Sequence, residues 1–247
     1  MPWTDSIADA YRDLGQQTHV DIIAAAMERH LGPLSGKRCL DVGCARGELS
    51  LRLARQGADA VICYDENREL LEAAGAYIEG EAPELRTRFT MRHGNETGLP
   101  VSPRSDLVFC SLAMMMCETR ERLDRMARGL IESMAAGGRC VVVLTHPCFH
   151  DARHRTFHIE TPSSYTYWAG GTPYEVVLHP ESEGETGAQF TDYHWPLEAY
   201  MGAFASAGAS MTSLIELPGQ YDTQSEPQGD PAYIVLEFRR MITEGRG

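Results

Sequence analysis

Long apolar runs are missing from these 247 residues. The longest, such as LAMMMC at 112–117, falls far short of the roughly 20 residues that span a bilayer. A surplus of positive charge is missing too. Against 35 Asp and Glu stand 22 Lys and Arg, a formal charge of −13, which works against binding DNA or RNA and suits a neutral or cationic small molecule. Lysine is nearly absent: only Lys37 is one, an arginine bias of the kind a GC-rich genome produces. No CxxC pair occurs among the seven cysteines, and Cys39, Cys63, Cys110 and Cys140 lie in short apolar runs. They read as reduced, buried small hydrophobes and not as a disulfide framework. The start, MPWTDSIADAY, lacks the basic residues and apolar stretch of a signal peptide, so a cytoplasmic location is expected. There is no internal repeat, no low-complexity tract and no clear linker before residue 145.

What is present is an alternation. Helical periodicity runs from Thr4 to His30, in two pieces broken near Gly15, and stops at LGPLSG. KRCLDV (37–42) reads as a strand, followed by a glycine turn and a helix with Leu49 and Leu53 inward. AVICYD (60–65) is a second strand, then a helix with Leu71, Ala74 and Ile78 on one face. TRFTMRH and SDLVFCSL give the third and fourth strands. A helix from Glu118 carries Leu123, Met126, Leu130 and Met134, stops at Gly137–Gly138 and leads into the fifth strand, RCVVVLT. Such alternation means right-handed crossovers and a buried parallel sheet. After residue 145 the rhythm breaks for about fifty residues, in which PYEVVLH and AQFTDYHW read as a hairpin around the acidic loop PESEGETG. A helix with Leu197, Tyr200, Met201 and Phe204 follows. MTSLIELP and AYIVLEFRR, with no crossover between them, should pair antiparallel.

CLDVGCARGELS (39–50) is a strand, a turn of small residues and a helix start. Small residues let backbone approach a ligand, and the helix N-terminus offers free N–H groups. Asp41 sits inside an apolar strand, where burial without a polar partner is costly. Asp65 ends the second strand, where a carboxylate can take both hydroxyls of a ribose. A dinucleotide turn wants GxGxxG, whereas here the small residues are Gly43, Ala45 and Gly47, followed by Glu48, whose carboxylate sits badly beside a pyrophosphate.

LDVGCARGE resembles the first motif of the class I S-adenosylmethionine (SAM) dependent methyltransferases, D-x-G-x-G-x-G. YDEN resembles their second-strand end. HGNETGLP followed by SDLVFCSLAMM resembles their "gD…LP…fDlv…s" segment. GGRCVVVLTHPCF and DYHWPLEAYMGAFASAGA are similar to the fifth strand and the "yH-x-pL…aGF" helix of the small-molecule branch. The resemblance runs from about Tyr11 to Phe238. It implies a Rossmann-like α/β fold, with a seven-stranded, mostly parallel sheet, an antiparallel last strand, N-terminal helices and a lid inserted after the fifth strand. In one domain, 1–36 would be a helical cap, 37–145 the SAM-binding core, 146–195 the lid, and 196–247 the closing helix and strand pair. It also implies that Asp41, Gly43, Ala45 and Gly47 cradle the methionine part of SAM and that Asp65 holds the ribose, with Glu66 beside the adenine. Asn95 and Glu96 would meet the adenine ring, Cys110 and Ser111 would line the cofactor, and Tyr11 would close over the carboxylate. Two positions depart from the pattern. Ala45 replaces the middle glycine, and Asn95 replaces the usual aspartate.

SAM brings an activated methyl group, so the protein must supply alignment, and a base only where the acceptor needs one. His146, just after the fifth strand, is the candidate base. His150, Tyr165, Tyr167, Trp168, His194 and Trp195 are candidate acceptor contacts, and aromatic faces suit a cationic group. The run Met114–Met116 reads as packing. THPCFHDARHRTFHIE repeats histidine every fourth residue at 146, 150, 154 and 158. Pro147 keeps His146 off a helix, however, and Arg153 and Arg155 oppose a cation, so no metal site is expected. His150, His154 and His158 are read as a solvated lid entrance. Two rivals share the cofactor motifs: an enzyme that cyclises the aminoalkyl chain of SAM, and a non-catalytic SAM-binding regulator. The oligomeric state stays open.

Overall fold

The computed structural model describes residues 17–154, 157–179, 188–218 and 229–241. Tyr11, the first helical piece with its break at Gly15, and the acidic loop 180–187 lie outside them. Helix α1 (Gln17–Leu31) leads to β1 (Arg38–Val42), α2 (Glu48–Arg55), β2 (Ala60–Asp65), α3 (Arg68–Glu81), β3 (Phe89–His93), β4 (Ser105–Ser111), α4 (Arg120–Glu132) and β5 (Met134–Thr145). Then come β6 (Phe157–Glu160), β7 (Thr172–Leu178), β8 (Gln189–His194), α5 (Leu197–Ser206), β9 (Ala209–Pro218) and β10 (Pro231–Arg240).

Seven strands form one sheet in the order β3-β2-β1-β4-β5-β10-β9, with all neighbours parallel except β10, which runs antiparallel to both β5 and β9. The inner parallel strands β1, β2 and β4 are buried on both faces, which is why they read as near-continuous apolar runs, whereas the edge strand β3 is mostly exposed. Alternate residues serve opposite faces: Cys39, Cys63 and Phe109 pack with α1, α2 and α3, while Leu40, Cys110 and Cys140 pack with α4 and α5. The chain reverses its direction of travel across the sheet between β1 and β4. The crevice beyond the carboxyl ends of those two strands is where such sheets take ligands.

Four expectations need correction. The helix expected to run to Gly137 ends at Glu132, and Met134 belongs to β5, paired with Ser105. The next pair is Leu107 with Arg139, so the intervening residues bulge out, with Gly137 at φ 73°. Residues Pro83–Arg88 form a 3-10 turn, so β3 starts at Phe89 and not at Thr87. The segment after β5 holds a three-stranded antiparallel sheet, β6-β7-β8, and not a hairpin alone. The added strand β6 contains His158, whose Nδ1 lies 2.7 Å from Nε2 of His179. Finally, His150 is not solvated: it is 4% exposed.

Candidate active site

The turn after β1 is held open by its own backbone. Gly43 has φ 73°, and a Cβ there would lie 2.6 Å from that of Ala113, so no side chain fits between the turn and the segment after β4. Ala45 also takes a left-handed φ of 46°, a conformation that costs a non-glycine residue about 1–2 kcal/mol. The Asp65 carboxylate holds it there, accepting from the N–H of Ala45 (2.9 Å) and, on its other oxygen, from that of Asn67 (2.8 Å). Each oxygen keeps a second lone pair. Gly47 does something else. It is buried, and a Cβ would lie 3.0 Å from Ala74 of α3, so its role is to let the start of α2 pack on α3.

One crevice gathers Asp41, Gly43, Ala45, Asp65, Glu66, Asn95, Glu96 and Ser111. Gly47 and Cys110 are not in its wall. Cys110 is fully buried on the α4 side of the sheet, because successive residues of a strand face opposite ways. Residues that the sequence reading missed also line the wall: Val20 and Ile23 of α1, Tyr64 of β2, Leu112, Met116 and Cys117 from the β4–α4 segment, and Arg122 of α4. The methionine run thus divides, with Met114 and Met115 in the core and Met116 at the crevice. Tyr64 donates its hydroxyl to the carbonyl of Asn95 (2.6 Å), beneath Gly94 and Gly98, where a Cβ would meet the phenol oxygen.

The crevice is acidic. Asp41 is 1% exposed and accepts from the Ser50 hydroxyl. Burial pushes its carboxyl up to about 7, against the lowering effect of Ser50 and with the help of the Asp65 and Glu48 charges. Burial also raises Asp65, Glu48 and Glu66. The Glu96 carboxylate is already engaged: its two oxygens pair with Arg122 (3.3 Å) and Arg125 (3.2 Å). The Asn95 side-chain oxygen accepts from the N–H and hydroxyl of Thr97, leaving its NH2 as the group to offer. Two buried atoms in the wall, the Ser111 hydroxyl and Nε of Arg122, have no hydrogen-bond partner among the described residues.

None of the expected acceptor residues lines this crevice. His150, Tyr165, Tyr167 and His194 form a second cluster under the three-stranded sheet, with ring centroids 4.9–5.7 Å apart. Trp168 is 74% exposed, edge-on to Tyr167. Trp195 is a core residue whose indole N–H donates to the Cys117 carbonyl (2.7 Å). The Tyr167 hydroxyl accepts from the Leu197 N–H (3.0 Å) and so caps α5, which begins after Pro196 and has no side-chain cap of its own. His146 is buried with both ring nitrogens engaged: Nε2 lies 3.1 Å from the Glu216 carboxylate, and Nδ1 accepts the Cys148 N–H at 3.3 Å. Burial lowers its pKa, partly offset by Glu216. Among the described residues no three His, Cys, Asp or Glu converge as metal ligands, and no helix is long and apolar enough to cross a membrane.

A glycine turn and strand-end carboxylates at the switch point of a mostly parallel sheet define a nucleoside-binding α/β domain. The comparisons narrow that class. Residues 39–138 match the family described as a methyltransferase domain. The mitochondrial ubiquinone biosynthesis O-methyltransferase of Schizosaccharomyces pombe is 30% identical over 129 residues, 52% of this chain and 45% of that protein; the match therefore takes in less than half of the relative's length. The CcbJ methyltransferase from Streptomyces caelestis superposes with a TM-score of 0.68 at 16% identity, over 95% of this chain and 96% of that one. The glycopeptide N-methyltransferase MtfA, in complex with SAM, superposes with a TM-score of 0.64 at 12% identity, over 88% of this chain and 87% of that one. Residues 39–138 are thus similar to a methyltransferase domain, and the chain has the fold of the SAM-dependent methyltransferases.

Proposed function

We propose that the protein transfers the methyl group of SAM to a small-molecule acceptor held between the crevice and the β6-β7-β8 lid. The observation that carries this reading is the charge of the crevice. Asp41, Glu48, Asp65 and Glu66 line it, while Arg122, the one cation among the described lining residues, is paired with Glu96, an environment that repels a pyrophosphate and attracts a sulfonium and an ammonium. The unpartnered Ser111 hydroxyl and the turn with no space for a Cβ at Gly43 fit the same ligand. In this reading Asp41 takes the amino group, the backbone at Gly43 and Ala45 lies along the methionine part, Asp65 takes the ribose through its remaining lone pairs, and Glu66 and Asn95 meet the adenine. Bound SAM supplies an activated methyl group. The protein's own work is to orient the partners and keep water out, and orientation alone is worth roughly 7–11 kcal/mol.

The S. pombe relative is an O-methyltransferase, which supports a hydroxyl acceptor here. Seven free thiols, six of them buried, support a reducing compartment such as the cytoplasm.

Calorimetry with S-adenosylhomocysteine (SAH) tests the reading. Binding should be tight in the unaltered protein. Asp65→Ala should cost about 2–4 kcal/mol, roughly 30- to 1000-fold in affinity, for two hydrogen bonds to a charged acceptor. Unchanged affinity would remove the ribose assignment, and no binding at all would remove the function. SAM incubated alone should give no methylthioadenosine; its appearance would mark an intramolecular cyclase.

A further inference from the structure

The lid presents a polar inner face. Asp192 and His194 of β8 point inward together with Tyr174, the β7 partner of Asp192 in the sheet register. His150 completes the patch, its ring 4.6 Å from Tyr174 and 4.9 Å from His194. Aliphatic side chains would be the ordinary choice for such a surface, because buried polar groups need partners. Here Nδ1 of His150 and Nδ1 of His194 have none among the described residues, although the two residues are 4% and 1% exposed.

The tautomer of His194 follows from its one hydrogen bond. Nε2 lies 2.7 Å from the carbonyl oxygen of Tyr167, which can only accept. Nε2 therefore carries the proton, and Nδ1 is a buried, bare lone pair. His146 offers no such atom, since Glu216 and the Cys148 N–H occupy both its nitrogens. Position favours His194 as well. The next residue, Trp195, is bonded to the carbonyl of Cys117, and Cys117 is part of the crevice wall.

We propose that Nδ1 of His194, and not His146, takes the proton of a phenolic acceptor bound beneath the lid. This rests on the methyl-transfer reading above. The acceptor oxygen forms its bond to the methyl carbon as the carbon–sulfur bond breaks. The electron pair of that bond stays on sulfur and leaves neutral SAH, while the O–H proton passes to Nδ1 and the positive charge ends on the imidazolium. An aromatic acceptor is favoured because the half-buried rings of Tyr165 and Tyr167 frame the patch within 5.0–5.6 Å of His194, where an aromatic ring can stack edge to face.

The test uses phenol and anisole as probes, the second carrying a methyl group in place of the hydroxyl proton. In protein carrying 15N-labelled histidine, His194 should show an unprotonated Nδ1 whose resonance moves on adding phenol and not on adding anisole. His194→Gln keeps an amide N–H for the Tyr167 carbonyl and deletes the Nδ1 acceptor. It should weaken phenol binding about tenfold or more, the loss expected for one buried hydrogen bond, while SAH affinity and thermal midpoint stay as in the unaltered protein. A protonated Nδ1, equal responses to phenol and anisole, no response to phenol, or full phenol binding by His194→Gln would each overturn the proposal. The His194 resonance can be read without SAH, so failure of SAH to bind would count against the cofactor reading and not against this one.

Discussion

Asp41 lies buried in β1 with Ser50 as its hydrogen-bond partner and two further carboxylates nearby. With its carboxyl pushed up to about 7 in the folded chain and an ordinary value near 4 in the unfolded one, folding takes up a proton between those limits. The cost of burying the charge is therefore present in full above about pH 7 and disappears as the pH falls towards 4. A ligand ammonium reverses the preference, because it needs the anion. SAH affinity should be highest above pH 7 and fall up to tenfold per pH unit below it, with proton release on binding. Calorimetry in buffers of different ionisation enthalpy measures that release, and Asp41→Asn should abolish both the release and the pH dependence. At this scale the residues that gather at the crevice are largely legible in the sequence. Asp41, Gly43, Ala45 and Asp65 are fixed by neighbours a few positions away, within one strand–turn–helix unit. The histidines are not. Whether a ring nitrogen of His146 or His194 is free depends on Glu216 and on the carbonyl of Tyr167, residues brought together only by the tertiary fold.

Trp195 joins two elements far apart in sequence. Its indole bond to Cys117 and its packing under Gly170, where a Cβ would lie 2.7 Å from the ring, pin the end of the lid to the segment that walls the crevice. Trp195→Phe keeps most of the apolar area but leaves the Cys117 carbonyl unpaired. It should cost about 1–3 kcal/mol in urea denaturation and weaken SAH binding as well, because Met116 and Cys117 lose their brace. Gly43→Ala should lower both, since the added methyl meets Ala113 at 2.6 Å in a left-handed backbone and so displaces the turn and the crevice wall together; urea denaturation and calorimetry with SAH read the two losses. Strands and helices of the first half were legible from period and punctuation. β6 was missed because its four residues sit in a histidine-rich stretch too short to show alternation. Met134 was assigned to a helix because it falls four residues after Leu130, although the helix had already ended at Glu132. Gly47 was read as ligand-facing because the motif groups it with Gly43, whereas what distinguishes it is the nearness of Ala74.

Across the molecule, Glu237 is the hub that fastens α1 to the sheet. It is 5% exposed in β10 and meets His30 of α1 (2.8 Å), Arg139 of β5 (3.5 Å) and the half-exposed Arg239 (3.1 Å). Arg139 continues the link to the last carbonyl of α1, that of Leu31. Glu237→Leu should leave Arg139 without its counter-charge and His30 without its hydrogen-bond partner and destabilise the protein by about 3 kcal/mol, the lower end for a broken buried pair because Arg239 can turn to solvent; urea denaturation reads this directly. The overall architecture was the most legible level, since alternating strands and helices allow few parallel topologies. The place of β10 in the strand order was not, because β9 and β10 were known only as a pair.

That place has a consequence for how the protein is made. β5 is completed at Thr145, with Val141 to Leu144 fully buried in the finished fold. Among the described residues its outer edge is paired with β10, which begins at Pro231. A chain leaving the ribosome N-terminus first must therefore carry an open apolar strand edge throughout the synthesis of the lid, α5 and β9. Such an edge is a ready template for pairing with another chain. The interval between those two strands is when the nascent protein most needs a chaperone.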